Sequence, residues 1–266
     1  MATQRFRERV VWITGASSGI GEALALAFAR EGARLVLSAR RADELERVAA
    51  KCHGAPTVDV VTLDLADLEA LPAAVETVLA RVGPVDVMVH NGGVSQRSLI
   101  AETRLSVDER IMRVNHFGAV ALTKSLLPSM VSRRRGRFVV VSSVMGVYSS
   151  PMRSAYAASK HALHGFFDAL RAEHARDGIG VTMVCPGFVR TNVSTNALTG
   201  DGSPRGARAD LNAKGMSAEY CAAVVLDAVH RERREVYLGG REKLGVYLKR
   251  YAPAVLAFLL PRVKVT

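Results

Sequence analysis

A strand, a glycine-rich turn and a helix at the start of this 266-residue chain constrain its fold most. Val10–Thr14 is a compact β-branched and aromatic run that reads as a strand. It breaks into Gly15-Ala16-Ser17-Ser18-Gly19-Ile20-Gly21, and an Ala/Leu-rich helix follows to about Glu31. Gly32 ends that helix well, because glycine enters the left-handed cap without strain. Without side chains at Gly15, Gly19 and Gly21, the backbone can approach a pyrophosphate. The helix N-terminus adds free N–H groups and a positive dipole end. The spacing, Gly-x-x-x-Gly-x-Gly, departs from the common GxGxxG, and three glycines alone would also suit an ordinary tight turn. The strand before and the helix after favour phosphate binding. Candidate contacts are Gly15, Ser17, Ser18, Gly19, Ile20 and Gly21.

The alternation continues along the chain. Strand-like runs fall at Leu35–Ser38, Val58–Leu63, Val85–His90, Phe138–Ser142, Val181–Val184 and Val236–Leu238. Helices are predicted from about Asp43, up to about Val82 before the Gly83-Pro84 turn, over Val107–Arg133, over Ser154–Arg176 and over Ser217–His230. This pattern predicts an α/β fold: a Rossmann-type doubly wound parallel sheet with helices on both faces. One domain, 1–266, is expected, without repeat or linker. Residues 188–215 are irregular, and a loop that long inside a compact domain is usually functional. It is read as a substrate lid.

The second strand ends in Ser38-Ala39-Arg40-Arg41. An NAD binder usually places an acid about 20 residues past its glycines, to hold the ribose 2′-hydroxyl. Two guanidinium groups stand there instead, and their planar forks match a phosphate. The reading is a 2′-phosphate site on Arg40 and Arg41, hence NADP(H). The alternative, a surface arginine pair at a helix start, would oppose the helix dipole.

Tyr156 and Lys160 are four apart on a predicted helix and share a face. A phenol titrates near ~10 and is a poor acid/base at neutral pH, but a nearby ammonium stabilises its phenolate. Such a pair can give a proton to a forming alkoxide or take one from an alcohol. Alone, Tyr-x-x-x-Lys is a short pattern with a high chance rate. Here the Gly15–Gly21 turn, Asn91-Gly92-Gly93, Asn115, Ser143, Tyr156-x-x-x-Lys160 and Pro186-Gly187 appear in order. Together they resemble the short-chain dehydrogenase/reductase family, over essentially all of Val10 to Leu238. The segments Ser95-Gln96-Arg97-Ser98, Thr191-Asn192-Val193-Ser194 and Asp201-Gly202-Ser203 look like its member-7 branch, as does the tail.

The resemblance implies seven parallel strands and a set of roles. Tyr156 would be the general acid/base. Lys160 would hold the nicotinamide ribose and lower the tyrosine pKa. Ser143 would bond the substrate oxygen; it is preferred to Ser142 because the family's serine stands thirteen residues before the tyrosine. Asn115 would position a relay water. Asp64 and Leu65 would flank the adenine. Asn91, Gly92 and Gly93 would line the cofactor floor, and Pro186, Gly187, Val189 and Thr191 would lie against the nicotinamide. One motif departs: the family pattern after strand four is Asn-Asn-Ala-Gly, and this chain has His90-Asn91-Gly92-Gly93, which implies altered local packing.

The implied activity is hydride transfer between NADP(H) and a carbonyl or secondary alcohol. The long lid and apolar tail suit a hydrophobic substrate, steroid-, retinoid- or lipid-like. A 3-oxoacyl carrier-protein reductase and a catalytically silent NADP-binding regulator are the rivals. The net charge of +11 admits anionic partners. The basic residues are scattered, however, with no recognition helix, zinc finger or aromatic–basic motif, so no nucleic-acid partner is expected. Cys52, Cys185 and Cys221 are far apart and form no CxxC pair, which fits a reducing cytosol without disulfides. No metal is expected: His161 and His164 are three apart on the catalytic helix, with no carboxylate or cysteine partner evident in sequence. A homodimer or homotetramer packed through the two long helices is expected. The tail, 241–266, is apolar and punctuated by basic residues such as Arg241, Lys249, Arg250 and Lys264. Pro253 and Pro261 should break it into two short helical pieces. It is too short to span a bilayer. It could pack on its own domain, on a partner subunit or in a lipid interface, the last making a cytoplasmic protein membrane-peripheral.

Overall fold

A computed structural model describes residues 4–191, 193–206 and 215–262. Asn192 of the branch-like segment, the lid stretch 207–214 and Lys264 of the tail lie outside the described residues. Seven strands form one sheet: β1 Val10–Thr14, β2 Arg34–Ser38, β3 Val58–Val60, β4 Val87–His90, β5 Gly136–Val141, β6 Ile179–Pro186 and β7 Glu235–Leu238. Every pairing is parallel, and the spatial order is β3-β2-β1-β4-β5-β6-β7. The predicted doubly wound sheet is what the chain forms.

The strands read as unbroken apolar runs because both of their faces are buried. On β1, Val11 and Ile13 join one core layer with Leu24 and Phe28 of α1 (Gly19–Arg30) and Val225 of α7 (Ala218–His230). Val10 and Trp12 face the other layer, with Val75 of α3 (Leu71–Val82), Leu122 of α5 (Gly118–Ser132) and Phe167 of α6 (Ser154–Glu173). The short helix α2 (Ala42–Ala49) follows β2. Strand β3 is shorter than the predicted Val58–Leu63. It lies at the sheet edge, and beyond Val60 only the alternate amides of Val61 and Leu63 still bond to Leu37 and Ala39.

The helix predicted over Val107–Arg133 runs without a gap but is not α-helical throughout. It consists of α4 (Leu105–Met112), a π-helical turn over Arg113–Phe117, and α5. Asn115 sits in the π turn, buried, and its amide spans to Val94 and Ser159. Single π turns inside helices commonly re-aim a functional side chain in this way. Pro128, inside α5, leaves that helix unbroken. The tail forms α8 (Leu244–Tyr251) and α9 (Pro253–Leu259), the two short pieces expected from Pro253. No described helix is long and apolar enough to cross a membrane.

The strand order reverses direction between β1 and β4. A ligand crevice therefore opens at their C-terminal ends. Gly15 and Gly19 both have left-handed backbones, φ +65° and +59°. At Gly21 the constraint is space: a Cβ would lie 2.1 Å from the Gly15 carbonyl oxygen and 2.6 Å from Asn91 Nδ2. Gly21→Ala must therefore push α1 off the β1 turn. Such overpacking costs about 1–3 kcal/mol. A lowered melting temperature, with loss of dinucleotide binding by titration, is the expected outcome. Unchanged melting and binding would contradict this account of the turn.

Candidate active site

The crevice is built from the C-terminal ends of β1, β4, β5 and β6. Thr14 Oγ1 donates to the Val89 carbonyl (3.2 Å) and accepts from the amides of Asn91 and Gly92 (3.2 Å each). Asn91 Nδ2 donates back to the carbonyls of Thr14 (3.0 Å) and Gly15 (3.1 Å). The glycine-rich turn is thus fastened to the loop after β4. Ser18, the N-cap of α1, makes no side-chain capping bond. The first-turn amides at Gly19 and Ile20 therefore have no intrahelical or capping partner, as an anion site requires. Thr191 stands over this turn, its Cγ2 3.0 Å from where a Cβ on Gly19 would be.

At the end of β2, Arg40 and Arg41 are exposed, and Arg41 Nη2 donates to Ser17 Oγ (3.3 Å). Arg47 engages the carboxylates of Glu22 (2.7 Å) and Glu44 (2.8 Å), and its guanidinium holds Glu22 below the usual carboxylate range. Ser38 Oγ accepts from Trp12 Nε1 (2.9 Å). Asp64 is exposed and caps the Ala66 amide, while Leu65 reaches under Gly92.

Four side chains converge on the other half of the crevice. A Cβ on Gly93 would lie 3.1 Å from Asn115 Oδ1, tighter than an ordinary contact, and 3.7 Å from Lys160 Nζ, so both side chains reach this glycine and Asn115 crowds it. Lys160 Nζ donates to the Val141 carbonyl (2.8 Å), and burial pushes its pKa down to about 8. Tyr156 lies one helical turn before Lys160, whose Nζ is 5.8 Å from the phenol ring centre. Burial raises the Tyr156 pKa, and Arg153 and the Ser143 hydroxyl pull against that rise. Arg153 was not singled out from the sequence. Its guanidinium stands 5.5 Å from the Tyr156 ring, and its charge pulls against the rise caused by burial. Its only sequence signal is its place, three residues before the tyrosine.

The two candidate serines part ways. Ser142 Oγ meets His164 Nε2 (3.1 Å) and the Lys160 carbonyl (3.4 Å), behind the helix. Ser143 Oγ caps the Met145 amide (3.1 Å) and donates to the Pro186 carbonyl (3.3 Å), on the tyrosine side. Gly187 lets the carboxylate of Glu242 approach, since a Cβ there would lie 2.1 Å from Oε1. Val189 is buried and bridges to Met216.

His161 and His164 do not act as a pair: His161 Nδ1 is bound to the Ala157 carbonyl. The sequence showed no cysteine or carboxylate partner for His164, and the fold corrects this. Cys185 Sγ lies 3.6 Å from both His164 Nε2 and Glu235 Oε1, and His164 Nδ1 is 3.6 Å from Glu235 Oε1. These partners come from β6 and β7, far away in sequence. Cys185 itself is fully buried, and its thiol pKa is raised by that burial.

A family model described as short chain dehydrogenase matches residues 9–201. A dehydrogenase/reductase SDR family protein 7-like of Drosophila melanogaster is 44% identical, covering 97% of this chain and 82% of its own length. Dehydrogenase/reductase SDR family member 7 of Homo sapiens is 42% identical over 92% of this chain and 75% of its own length. Among solved structures, a short-chain dehydrogenase from Streptomyces avermitilis superposes with a TM-score of 0.82 at 33% identity, covering 95% of this chain and 94% of that one. An alcohol dehydrogenase from Thermococcus sibiricus, complexed with 5-hydroxy-NADP, has a TM-score of 0.76 at 27% identity, covering 89% and 98%.

His90 lies directly beneath this site. It is buried against Phe138 and Phe167, its Nε2 meets Thr123 Oγ1 (2.8 Å), and its Nδ1 has no partner. Burial lowers its pKa to about 3. The unfolded chain thus binds a proton near pH 6.5 that the fold refuses. The stabilisation is complete above that pH and is lost as pH falls toward 3. Between pH 6.5 and 4.5 the loss should be roughly 2–3 kcal/mol. Denaturant unfolding of His90→Gln should show a correspondingly shallower pH slope than the parent; parallel slopes would refute it.

Proposed function

This chain belongs to the short-chain dehydrogenase family and is an oxidoreductase of CH–OH and C=O groups, and from that premise we propose NADP(H) as its cofactor and a hydrophobic ketone or secondary alcohol as its substrate. The observation that carries the cofactor reading is the end of β2. Arg40 and Arg41 are exposed there, the stretch Ser38-Ala39-Arg40-Arg41 holds no acid, and the nearby Glu22 and Glu44 are both engaged by Arg47. The glycine turn, the uncapped α1 N-terminus and Thr191 would hold the pyrophosphate and nicotinamide ends. The Thermococcus alcohol dehydrogenase, similar over most of this chain, was solved with an NADP derivative. When bound, the nicotinamide supplies or accepts the hydride.

The chain's own residues handle the proton. Tyr156 Oη donates it to the substrate oxygen in reduction and removes it in oxidation. Ser143, on the same side, bonds that oxygen and orients the carbonyl. Lys160, held by the Val141 carbonyl, would bind the ribose hydroxyls. Asn115, fixed in the π turn, would position a water between Lys160 and solvent. A cleft of about 270 Å³ lies beside Gly187, bounded by Phe188, Met216, Tyr220, Tyr237 and Lys243. Its aromatic and aliphatic walls suit the hydrophobic part of a substrate. Leu244, Tyr247, Tyr251 and Phe258 leave an exposed apolar face on α8 and α9 beside Lys249 and Arg250. That face supports contact with a second copy or with a lipid interface, in a homodimeric or homotetrameric cytoplasmic enzyme.

Two measurements test this reading. Tyr156→Phe keeps the ring and removes the proton, and loss of a placed acid/base should lower kcat by ~10²–10⁴ with NADPH affinity little changed. Near-normal turnover by that variant would remove Tyr156 from the chemistry. Arg40→Ala should weaken NADPH binding roughly 10- to 150-fold and spare NADH, because charge-assisted bonds to one phosphate are worth about 1.5–3 kcal/mol. Equal losses for both cofactors would sink the 2′-phosphate role.

A further inference from the structure

Among the described residues, two buried cations lack a counter-charge that would account for their burial. Arg97, in the loop after β4, is 4% exposed, and its Nε, Nη1 and Nη2 all lack a hydrogen-bond partner. Arg153, just before α6, is 7% exposed; its Nη1 donates to Ser95 Oγ, and its Nε has no partner. Among the described residues neither guanidinium forms an ion pair. Arg205 adds a third positive charge close enough to be felt at Arg153, whose pKa burial pushes down to about 10, still charged at neutral pH. A guanidinium cannot shed its proton in a protein, and burying one without a counter-charge is heavily penalised. Such a group in a folded protein calls for an explanation, and a bound anion is one that also supplies the missing charge.

The loop geometry places Arg97 on the Arg153 side. Gln96 forms an isolated parallel bridge with Leu198; the Arg97 amide donates to the Leu198 carbonyl, and the Leu198 amide donates to the Ser95 carbonyl, both at 2.8 Å. In an extended segment alternate side chains share a face. Gln96 points to the α6 N-terminus, where its Oε1 accepts from the Ala155 amide (2.9 Å). Ser95 and Arg97 therefore share the opposite face, and Ser95 holds Arg153, which stands against the Tyr156 ring.

We propose that Arg97 and Arg153 bind an oxyanion carried by the substrate itself, a carboxylate or a phosphate monoester set a few bonds from the carbonyl that Tyr156 protonates. The proposal rests on the reading of Tyr156 above and deepens it. The substrate is an amphiphile whose charged end meets the arginine pair and whose apolar remainder lies under the lid. The planar fork of arginine pairs bidentately with either oxyanion.

The test uses the whole protein with NADPH and three ketones of matched length: a medium-chain 4-oxo acid, its methyl ester, and a ketone ending in a phosphate monoester. At least one anionic ketone should exceed the ester in kcat/KM by on the order of 30-fold or more, and which one does so identifies the oxyanion. Arg97→Met should collapse that ratio toward one. Independently of turnover, the alcohol product of the preferred ketone, added with NADP⁺, should raise the melting temperature of the parent protein well beyond the rise seen in Arg97→Met. Should Arg97→Met fail to fold, the comparison of the three ketones in the parent protein decides alone. Equal kcat/KM on all three ketones overturns the anion site and leaves the dehydrogenase reading intact. If none of the three is reduced, it is the hydride-transfer reading that fails for these ketones. The melting shift with each of the two anionic alcohols then decides the anion site, and absence of any shift overturns it.

Discussion

The hydrogen bonds between the ends of β1 and β4 hold the rest of the site in register. Thr14 and Asn91 exchange five bonds with the backbone around them, counting those to Val89, Gly92 and Gly15. These bonds fix the glycine turn, from which α1 departs, and the loop after β4, which carries Gly93 against Asn115 and Lys160. A single network therefore sets the distance between the glycine turn and the Asn115/Lys160 end of the crevice. Gly15 is where the two loops come closest: a Cβ there would lie 2.7 Å from Gly92 Cα. A side chain at Gly15 has no room there, and the left-handed backbone, φ +65°, favours glycine as well.

The electrostatics on that scaffold run in one direction. Lys160, Arg153 and Arg97 are all buried, and no carboxylate is paired with any of them among the described residues. Burial raises the Tyr156 pKa, so the phenol keeps its proton at neutral pH in the unliganded protein. The nearby guanidinium counters that rise without contributing a base of its own. A site arranged this way is ready to donate a proton and to receive negative charge. Both properties suit a ketone whose oxygen becomes an alkoxide and a cofactor that arrives carrying phosphates.

Much of this was legible in the sequence because it is local. The strand–turn–helix at Val10–Arg30 and the Tyr156/Lys160 spacing are each contained in one or two elements. The positions of strands and helices along the chain largely follow from apolar runs and glycine punctuation. What the sequence concealed depends on contacts between distant elements. The π turn at Asn115 has no breaker residue to announce it; it forms beside bonds from Asn115 to Val94 and Ser159, which no periodicity encodes. Arg153 carries no signal of its own in the sequence; Ser95, from the loop after β4, is what holds it beside the Tyr156 ring. His164 appeared partnerless because Cys185 and Glu235 reach it from two other strands. The choice between Ser142 and Ser143, made from a family spacing, has a simple physical counterpart: consecutive residues at a strand end point to opposite sides.

The same face-by-face logic explains how the chain tolerates its departure from Asn-Asn-Ala-Gly. Two positions differ, and they lie on one side of the sheet. His90 sets an imidazole against Phe138 and Phe167, a bulkier group than the asparagine of the family pattern. Two residues on, Gly92 omits a methyl that would have stood 2.5 Å from Leu65 Cδ1. Both residues line the same small enclosed space, with Asn115, Ala119 and Lys160 completing its wall. Volume added at one position is thus returned at the other, within a core layer where a single methylene is felt. Asn91, between them, faces the opposite way and keeps its bonds to Thr14 and Gly15. The departure is therefore confined to the packing behind the cofactor floor, and the clamp that sets the crevice is untouched.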